Sequence, residues 1–191
     1  MTHKFDVKNK NKLDNAKRRE MLPPEKTLIS LGLKSDDIMA DIGCGIGYFS
    51  IPASKIVGNS GQVIALDVSD EMLREVEKKV LEGNIHNIEM VLTEENRLKL
   101  EDGKIAFAFI STVLHEIEHK EKLINEIKRS LKNNGRIAIV EWQKISGEFG
   151  PPIDHRLDKM DLVKMLNSLG FSKISTIDIG NDFYGITAEN S

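Results

Sequence analysis

Short apolar runs alternate with segments of helical periodicity along most of the chain. The apolar runs are bounded by polar or turn-forming residues, which predicts strands at residues 38–42, 62–68, 88–92, 105–111 and 136–142. Helices are predicted at residues 25–31, 48–57, 70–82, 119–132 and 157–169. In the fourth of these, Ile124, Ile127 and Leu131 recur at helical spacing and form one apolar stripe. Strands that alternate with helices are typical of right-handed βαβ units and a parallel sheet.

The last part of the chain breaks this alternation. Two strand-like runs, 172–179 and 183–189, are joined by the short segment Gly180-Asn181-Asp182. A turn of this kind between two strands is a hairpin signal. The sequence therefore predicts an α/β domain that ends in an antiparallel pair of strands.

Length and composition favour one domain without a membrane span. The chain has 191 residues, of which 40% are hydrophobic, and this is enough for a single core. No apolar run approaches the roughly eighteen residues of a transmembrane helix, and residues 1–12 lack the apolar stretch of a signal peptide. A lone cysteine, Cys44, excludes an internal disulfide and a multi-thiolate metal site. We therefore expect a cytoplasmic protein without a bound metal.

The formal net charge is −3, but the first part of the chain is basic. Residues 1–20 hold three acids against seven basic residues: Lys4, Lys8, Lys10, Lys12, Lys17, Arg18 and Arg19. One interpretation is a solvated segment; the other is an arm that attracts nucleic acid or an anionic membrane surface. Aromatic residues make up only 5% of the chain, which argues against extended stacking on RNA bases. We divide the chain into this basic segment, 1–20, and one domain, 21–191.

A glycine-rich motif, Asp41-Ile-Gly-Cys-Gly-Ile-Gly47, follows the first predicted strand. Glycines without a Cβ let the turn approach a ligand closely and adopt positive φ. Asp67 ends the next strand, where an acid can bind the two hydroxyls of a ribose. This pair fits NAD and S-adenosylmethionine alike, but a dinucleotide loop needs a third glycine at position 48, where the chain has Tyr48. The acid Asp41 suits a cationic amino group better than a pyrophosphate, so the spacing favours S-adenosylmethionine.

The glycine motif resembles the first motif of the class I S-adenosylmethionine-dependent methyltransferases. Three further segments are similar to family motifs in the expected order: 66–73, 109–117 and 131–139. Within the class, Glu94-Glu95-Asn96 and Gly150-Pro151-Pro152 are similar to the small branch that includes the ubiquinone and menaquinone C-methyltransferases. The resemblance implies a Rossmann-like fold with a seven-stranded, mostly parallel sheet in the order 3-2-1-4-5-7-6. Strand seven is then antiparallel, and helices cover both faces.

The resemblance also implies a cofactor site. The methionine part would lie against the glycines, with Asp41 beneath the loop, and Asp67 would accept hydrogen bonds from the ribose. Either Glu94 or Glu95 would accept from the adenine amino group, although both also fit a solvated acid pair. The full set of expected cofactor residues is Asp41, Gly43, Gly45, Gly47, Asp67, Val68, Met72, Glu94, Glu95 and Ser111. Val68 and Met72 would pack on the adenine faces, and Met72 fits ordinary core packing equally well.

Residues after the fourth and fifth strands are candidates for the methyl acceptor side. His115 is the candidate catalytic residue, because imidazole exchanges protons near neutral pH; a residue that packs the following turn is the alternative. The expected substrate residues are Glu116, Glu141, Trp142 and Arg156. The 143–156 loop and the N-terminal segment lie where lids would close over the site.

Three functions remain open at this stage. The first is methylation of a small molecule, such as a quinone precursor or another hydrophobic metabolite, with S-adenosylhomocysteine as the second product. The second is a cofactor-binding module without transfer activity. The third is an RNA methyltransferase that uses the basic arm, which the low aromatic content disfavours. The sequence gives no indication of the oligomeric state.

Overall fold

A computed structural model of the protein describes residues 13–147 and 149–191. Its strands are β1 (Ile38–Ile42), β2 (Gln62–Asp67), β3 (Ile88–Leu92), β4 (Ile105–Ser111), β5 (Leu131–Trp142), β6 (Phe171–Ile179) and β7 (Phe183–Asn190). Its α-helices are α1 (Ala16–Met21), α2 (Pro24–Ser30), α3 (Ser50–Val57), α4 (Asp70–Glu82), α5 (Lys120–Ser130) and α6 (Lys159–Ser168). Short 3-10 helices lie at Leu114–Glu116 and Ile153–His155.

The strands form one seven-stranded sheet in the order β3-β2-β1-β4-β5-β7-β6. Strands β1 to β5 pair in parallel, whereas β7 runs antiparallel to both β5 and β6. This order confirms the predicted fold. It reverses between β1 and β4, and ligands of open α/β sheets bind at such a point, beyond the carboxyl ends of the strands.

Two hydrophobic layers cover the sheet, one on each face. The central strand β4 is buried throughout, and its alternating side chains divide between the layers: Phe107 and Phe109 join one, Ala108 and Ile110 the other. Residues of α2, α3 and α4 contribute to the first layer, and residues of α5 and α6 to the second. Helices therefore lie on both faces, as predicted, and leave the carboxyl edge of the sheet for the loops.

Several element ends differ from the prediction. The helix predicted at 119–132 ends at Ser130, because Leu131 pairs with Ile105 and already belongs to β5. A register shift follows, and Asn134 has a φ of 59°, so the chain turns sharply before the regular part of β5. The last helix begins at Lys159 because the carboxylate of Asp158 caps it.

Helix α1 spans the boundary that the sequence suggested at residues 20 and 21. The side chain of Asn15 caps its beginning by accepting a hydrogen bond from Arg18 N. Leu22, just after the helix, is fully buried in the core, and its carbonyl accepts a 2.8 Å hydrogen bond from the hydroxyl of Tyr48. These contacts fix α1 beside the glycine-rich motif.

Across residues 13–147 and 149–191, no helix has both the length and the apolar character that crossing a bilayer requires.

Candidate active site

A cavity of about 410 Å³ opens at the carboxyl edge of β1, β2 and β4. Ten of the sequence-predicted site residues line it: Asp41, Gly43, Gly45, Asp67, Val68, Met72, Glu94, Glu95, Ser111 and Glu116. The other predicted residues, Gly47, His115, Glu141, Trp142 and Arg156, lie outside this lining. The cavity thus gathers most of the expected cofactor residues, whereas the expected acceptor residues are largely behind it or beside it.

The glycine-rich turn is held against β2 by its own backbone. The N–H groups of Gly43 and Cys44 both donate to the carbonyl of Leu66, at 2.8 and 2.9 Å. Gly43 has a φ of 70°, and a Cβ on it would lie 2.6 Å from a methyl carbon of Val113. Position 43 therefore needs glycine for both its backbone conformation and its close packing.

Asp67 connects the turn to the end of β2. One carboxylate oxygen accepts a 2.9 Å hydrogen bond from Gly45 N, and the other accepts a 2.9 Å bond from Ser69 N. Burial raises the pKa of Asp67, against the effect of these backbone hydrogen bonds. Each carboxylate oxygen keeps further acceptor capacity toward the cavity, so Asp67 is suited to bind paired hydroxyls.

Asp41 lies beneath the turn and is almost completely buried. Its carboxylate accepts a 2.5 Å hydrogen bond from the hydroxyl of Ser50. Burial raises the pKa of Asp41 to about 7; the Ser50 hydrogen bond opposes this shift and the nearby charge of Asp67 adds to it. A cationic ligand group in the cavity would favour the ionised form of this carboxyl group.

The β2–β3 side of the cavity has an apolar and an acidic part. Val68 is 44% exposed and Met72 only 4%, although both line the cavity. Both side chains therefore contribute apolar surface to this part of the cavity. Glu94 and Glu95 both line the cavity, so either carboxylate could accept a hydrogen bond from the adenine amino group.

Gly47 serves the packing of the turn. It has a φ of 78°, and a Cβ there would lie 3.3 Å from a methyl carbon of Val76 and 3.4 Å from Ile51. Its role in this structure is to let the chain pass between α3 and α4, and the third glycine of the motif is therefore explained by helix packing.

His115 and Glu141 form a buried pair behind the acceptor side of the cavity. Glu141, fully buried, accepts a 3.1 Å hydrogen bond from His115 N and lies 2.8 Å from its Nδ1. His115 Nε2 lies 3.8 Å from a carboxylate oxygen of Glu116, which does line the cavity. Burial lowers the pKa of His115, but the hydrogen bond and charge of Glu141, with the charge of Glu116, raise it more. Glu141 therefore positions His115 and does not face the cavity.

Trp142 and Arg156 hold the loop after β5 together. The Arg156 side chain donates to the carbonyls of Pro151, Gln143, Ile145 and Phe149, at 2.6 to 3.0 Å. Its guanidinium also lies over the Trp142 ring, 5.5 Å from the centroid. Every donor nitrogen of Arg156 is thus engaged within the loop. Arg156 is buried by these contacts, and its substrate role stays a prediction.

The two segments predicted as lids approach each other. Lys17 Nζ in α1 lies 6.0 Å from the centroid of the Phe149 ring, which belongs to the loop after β5. Phe149 is 45% exposed. The contact places both segments on the same side of the domain.

Among the lining residues that the sequence did not predict for the site, Arg18 and Thr112 have polar side chains. Arg18 was counted only as part of a basic segment, and its place in the cavity depends on how α1 docks. Thr112 has a φ of 54°, which is uncommon for a residue with a Cβ. A signal for Thr112 existed, since residues just beyond parallel strands commonly form ligand sites.

The residues present fit S-adenosylmethionine. The turn offers glycines at its closest approach, and Asp67 has acceptor capacity for hydroxyls. The Ser111 hydroxyl and Arg18 Nε are buried without a hydrogen-bond partner among the described residues, and both belong to the cavity lining. Buried polar groups rarely stay unpaired, so these two groups indicate a polar ligand. The fold and the site together define a class I S-adenosylmethionine-dependent methyltransferase.

Comparison with known proteins narrows the class. Residues 19–150 match the model of the ubiE/COQ5 methyltransferase family. The chain belongs to the ubiE/COQ5 methyltransferase family. It is 32% identical over 114 residues to the ubiquinone/menaquinone biosynthesis C-methyltransferase UbiE of Pseudomonas putida strain GB-1, covering 59% of this chain and 44% of that protein. The chain thus spans less than half the length of the curated relatives it matches.

Solved structures agree on the fold. A crystal structure of an S-adenosylmethionine-dependent methyltransferase from Aquifex aeolicus is 32% identical, with a TM-score of 0.93 over 98% of this chain and 100% of that one. A second crystal structure is that of a protein from Sulfolobus solfataricus that is provisionally assigned as a type 11 methyltransferase. It is 23% identical, with a TM-score of 0.72 over 88% of this chain and 92% of that one. The similarity to the Aquifex aeolicus structure covers nearly the whole chain, including the C-terminal hairpin that lies beyond the family match.

Proposed function

We propose that the protein transfers a methyl group from S-adenosylmethionine to a small-molecule acceptor. The observation that carries this proposal is the hydrogen bond from Gly45 N, in the glycine-rich turn, to the carboxylate of Asp67 at the edge of the cavity. Family membership and the similarity to the Aquifex aeolicus methyltransferase support it. A cytoplasmic location belongs to the same proposal, in keeping with Cys44, which is a free thiol.

The cofactor, when bound, supplies a methyl group on a positively charged sulfur. Asp67 holds the ribose hydroxyls by charge-assisted hydrogen bonds, which are stronger than neutral ones. Asp41, close to neutrality in its pKa, adapts its charge to the cationic end of the ligand. Val68, Met72 and Glu94 or Glu95 take the adenine. Orientation of the two reactants supplies much of the rate enhancement in such a transfer.

The acceptor side combines apolar walls with one proton-accepting group. Val113, Ile117 and Leu123 line this part of the cavity and exclude water. Glu116 faces the cavity and has His115 behind it, whose Nδ1 donates to Glu141 in the neutral ring and leaves Nε2 as an acceptor. An acceptor that loses a proton, such as the hydroxyl of an aromatic ring, fits this arrangement. A quinone precursor with a ring hydroxyl is one member of that class, and the Pseudomonas putida relative is named as a ubiquinone/menaquinone biosynthesis C-methyltransferase.

Calorimetric titration tests the cofactor part of the proposal. We expect S-adenosylmethionine and S-adenosylhomocysteine to bind with micromolar affinity, and NAD not to bind. Incubation with methyl-labelled S-adenosylmethionine and a panel of phenols, naphthols and other metabolites then tests the transfer. Tight cofactor binding without label transfer to any panel member, but with transfer to RNA, would overturn the small-molecule acceptor.

A further inference from the structure

We propose that Arg18 binds the α-carboxylate of S-adenosylmethionine, so that helix α1 is part of the cofactor site. This inference rests on the proposed function and adds a cofactor-binding residue that lies outside the recognisable motifs. The ligand of the guanidinium would be the α-carboxylate of the methionine part, which also carries the cationic ammonium group.

The Arg18 side chain has few hydrogen-bond partners within the protein. Its Nε is buried and has no hydrogen-bond partner among the described residues. Its Nη2 makes one long contact, 3.4 Å, with the Thr112 hydroxyl, and its guanidinium stacks over the Tyr48 ring at 5.0 Å. The neighbouring acid Asp14 is engaged with Arg19 at 2.7 Å. A guanidinium is charged at any physiological pH and is costly to bury without an anion.

The charges of the cavity lining are complementary to those of S-adenosylmethionine. Arg18 is the single cationic side chain among the described residues that line the cavity. The lining also has five carboxyl groups, on Asp41, Asp67, Glu94, Glu95 and Glu116. S-adenosylmethionine carries one carboxylate, one ammonium group and one sulfonium, so its only anionic group matches the only cation of this lining.

The position of Arg18 along the edge of the sheet also matches the methionine part of the cofactor. Asp67 ends β2, the glycine-rich turn follows β1, and Thr112 follows β4, the next strand in the sheet order. A cofactor with its ribose at Asp67 and its methionine part on the turn therefore extends toward Thr112. Arg18 contacts Thr112, and Leu13 lies 3.5 Å from the Cβ position of Gly45. Helix α1 thus lies at the methionine end, where the carboxylate is expected.

The test compares two ligands and two neighbouring arginines by calorimetry. Decarboxylated S-adenosylmethionine lacks only the carboxylate. We expect Arg18→Ala to weaken S-adenosylmethionine binding at least tenfold, while the affinity for the decarboxylated compound changes less than twofold. Arg18→Lys should recover part of the loss, because lysine keeps the charge but not the planar pair of donors. Arg19→Ala is the matched control, since Arg19 is exposed and pairs with Asp14; it should leave both affinities unchanged.

Other outcomes separate the inference from its premise. Equal weakening of both ligands by Arg18→Ala, or no weakening of either, would overturn the role of Arg18 while leaving the cofactor site intact. Failure of the unaltered protein to bind either ligand would instead overturn the proposed function. A thermal melt of each variant without ligand identifies a folding defect. Arg18→Gln, which keeps a polar side chain but removes the charge, repeats the comparison if Arg18→Ala does not fold.

Discussion

The carboxylate of Asp67 accepts a 2.9 Å hydrogen bond from the backbone N–H of Gly45. The bond joins the end of β2 to the turn after β1, so the residue that would bind the ribose also shapes the turn that would bind the methionine part. A substitution at Asp67 therefore acts on both parts of the proposed cofactor site.

Asp67→Ala should weaken S-adenosylmethionine binding about 10- to 100-fold, as expected for the loss of hydrogen bonds to a charged group, worth about 1.5–3 kcal/mol. Asp67→Asn, which keeps one acceptor, should have a smaller effect. Calorimetry measures both affinities. Unchanged affinity in the alanine variant would contradict the role of Asp67 in ribose binding.

Gly43→Ala should both destabilise the domain and impair cofactor binding, because the new methyl group would lie 2.6 Å from Val113. Gly180→Ala is the control: its φ is 68°, close to that of Gly43, but nothing lies within 4 Å of the added Cβ. We expect Gly180→Ala to cost about 1–2 kcal/mol from backbone strain alone, and Gly43→Ala clearly more. Chemical denaturation measures the difference.

A second substitution isolates the steric part of the Gly43→Ala defect. Adding Val113→Ala should restore some of the lost stability and binding, because it removes the methyl groups that clash. The backbone strain at position 43 would remain. If the double variant is no better than Gly43→Ala, contact with Val113 is not the cause.

Asp41 should make folding and binding depend on pH in opposite directions. Its pKa is raised from 3.8 to about 7 in the fold, so between about pH 4 and 7 the folded state binds the extra proton. The free energy of unfolding contributed by Asp41 then falls as pH rises through this window and levels off above it. A cationic ligand favours the ionised carboxylate, so cofactor binding should release protons near pH 6.5 and not at pH 8.5.

Calorimetry in buffers of different ionisation enthalpy measures this release. Asp41→Asn cannot ionise and should abolish the component that Asp41 contributes. It should also remove the corresponding fall in stability between pH 4 and 7. The idea fails if the asparagine variant releases as many protons at pH 6.5 as the unaltered protein.

Glu141→Gln should lower the pKa of His115, since the hydrogen bond and charge of Glu141, together with the charge of Glu116, raise it against burial. A nuclear magnetic resonance titration of the histidine ring measures the pKa directly. Because the pKa of His115 is raised, its stabilising contribution is complete at low pH and declines as pH rises through that value. The variant should weaken this dependence. An unchanged His115 titration would show that the pair does not interact as the distances indicate.

Arg156→Lys should loosen the loop after β5 although it conserves the charge. A lysine ammonium has three donors on one nitrogen and cannot reach four carbonyls spread from Gln143 to Pro151. We expect faster proteolysis within residues 143–155 than in the unaltered protein. Lys144→Arg, at an exposed position of the same loop, is a control that should leave the cleavage rate unchanged.

The sequence predicted the parts of the molecule that depend on local pattern. Strand periodicity and the terminal turn predicted the strands and the hairpin, and the family resemblance supplied the sheet order. The glycine-rich motif with Asp67 located the cavity. The beginning of β5 was missed because Leu131 continues the apolar stripe of α5, and only its pairing with Ile105 assigns it to the sheet.

The acceptor side was harder to predict because its side chains act over long sequence separations. Glu141 and His115 are 26 residues apart, and their pairing depends on β4 and β5 being neighbours in the sheet. The four carbonyls around Arg156 could not be predicted either, because they depend on the path of its own loop. Arg18 is hidden in a basic segment whose composition favours a solvated surface.

Val113, in the chain just after β4, fills the room that a side chain at Gly43 would need. In the proposed site, the turn at Gly43 would contact the cofactor and the segment after β4 would contact the acceptor. A cofactor that fixes the turn would therefore also fix Val113 beside the acceptor, and we expect the cofactor to bind first. Steady-state kinetics should then give the product-inhibition pattern of an ordered mechanism, in which S-adenosylhomocysteine competes with S-adenosylmethionine alone.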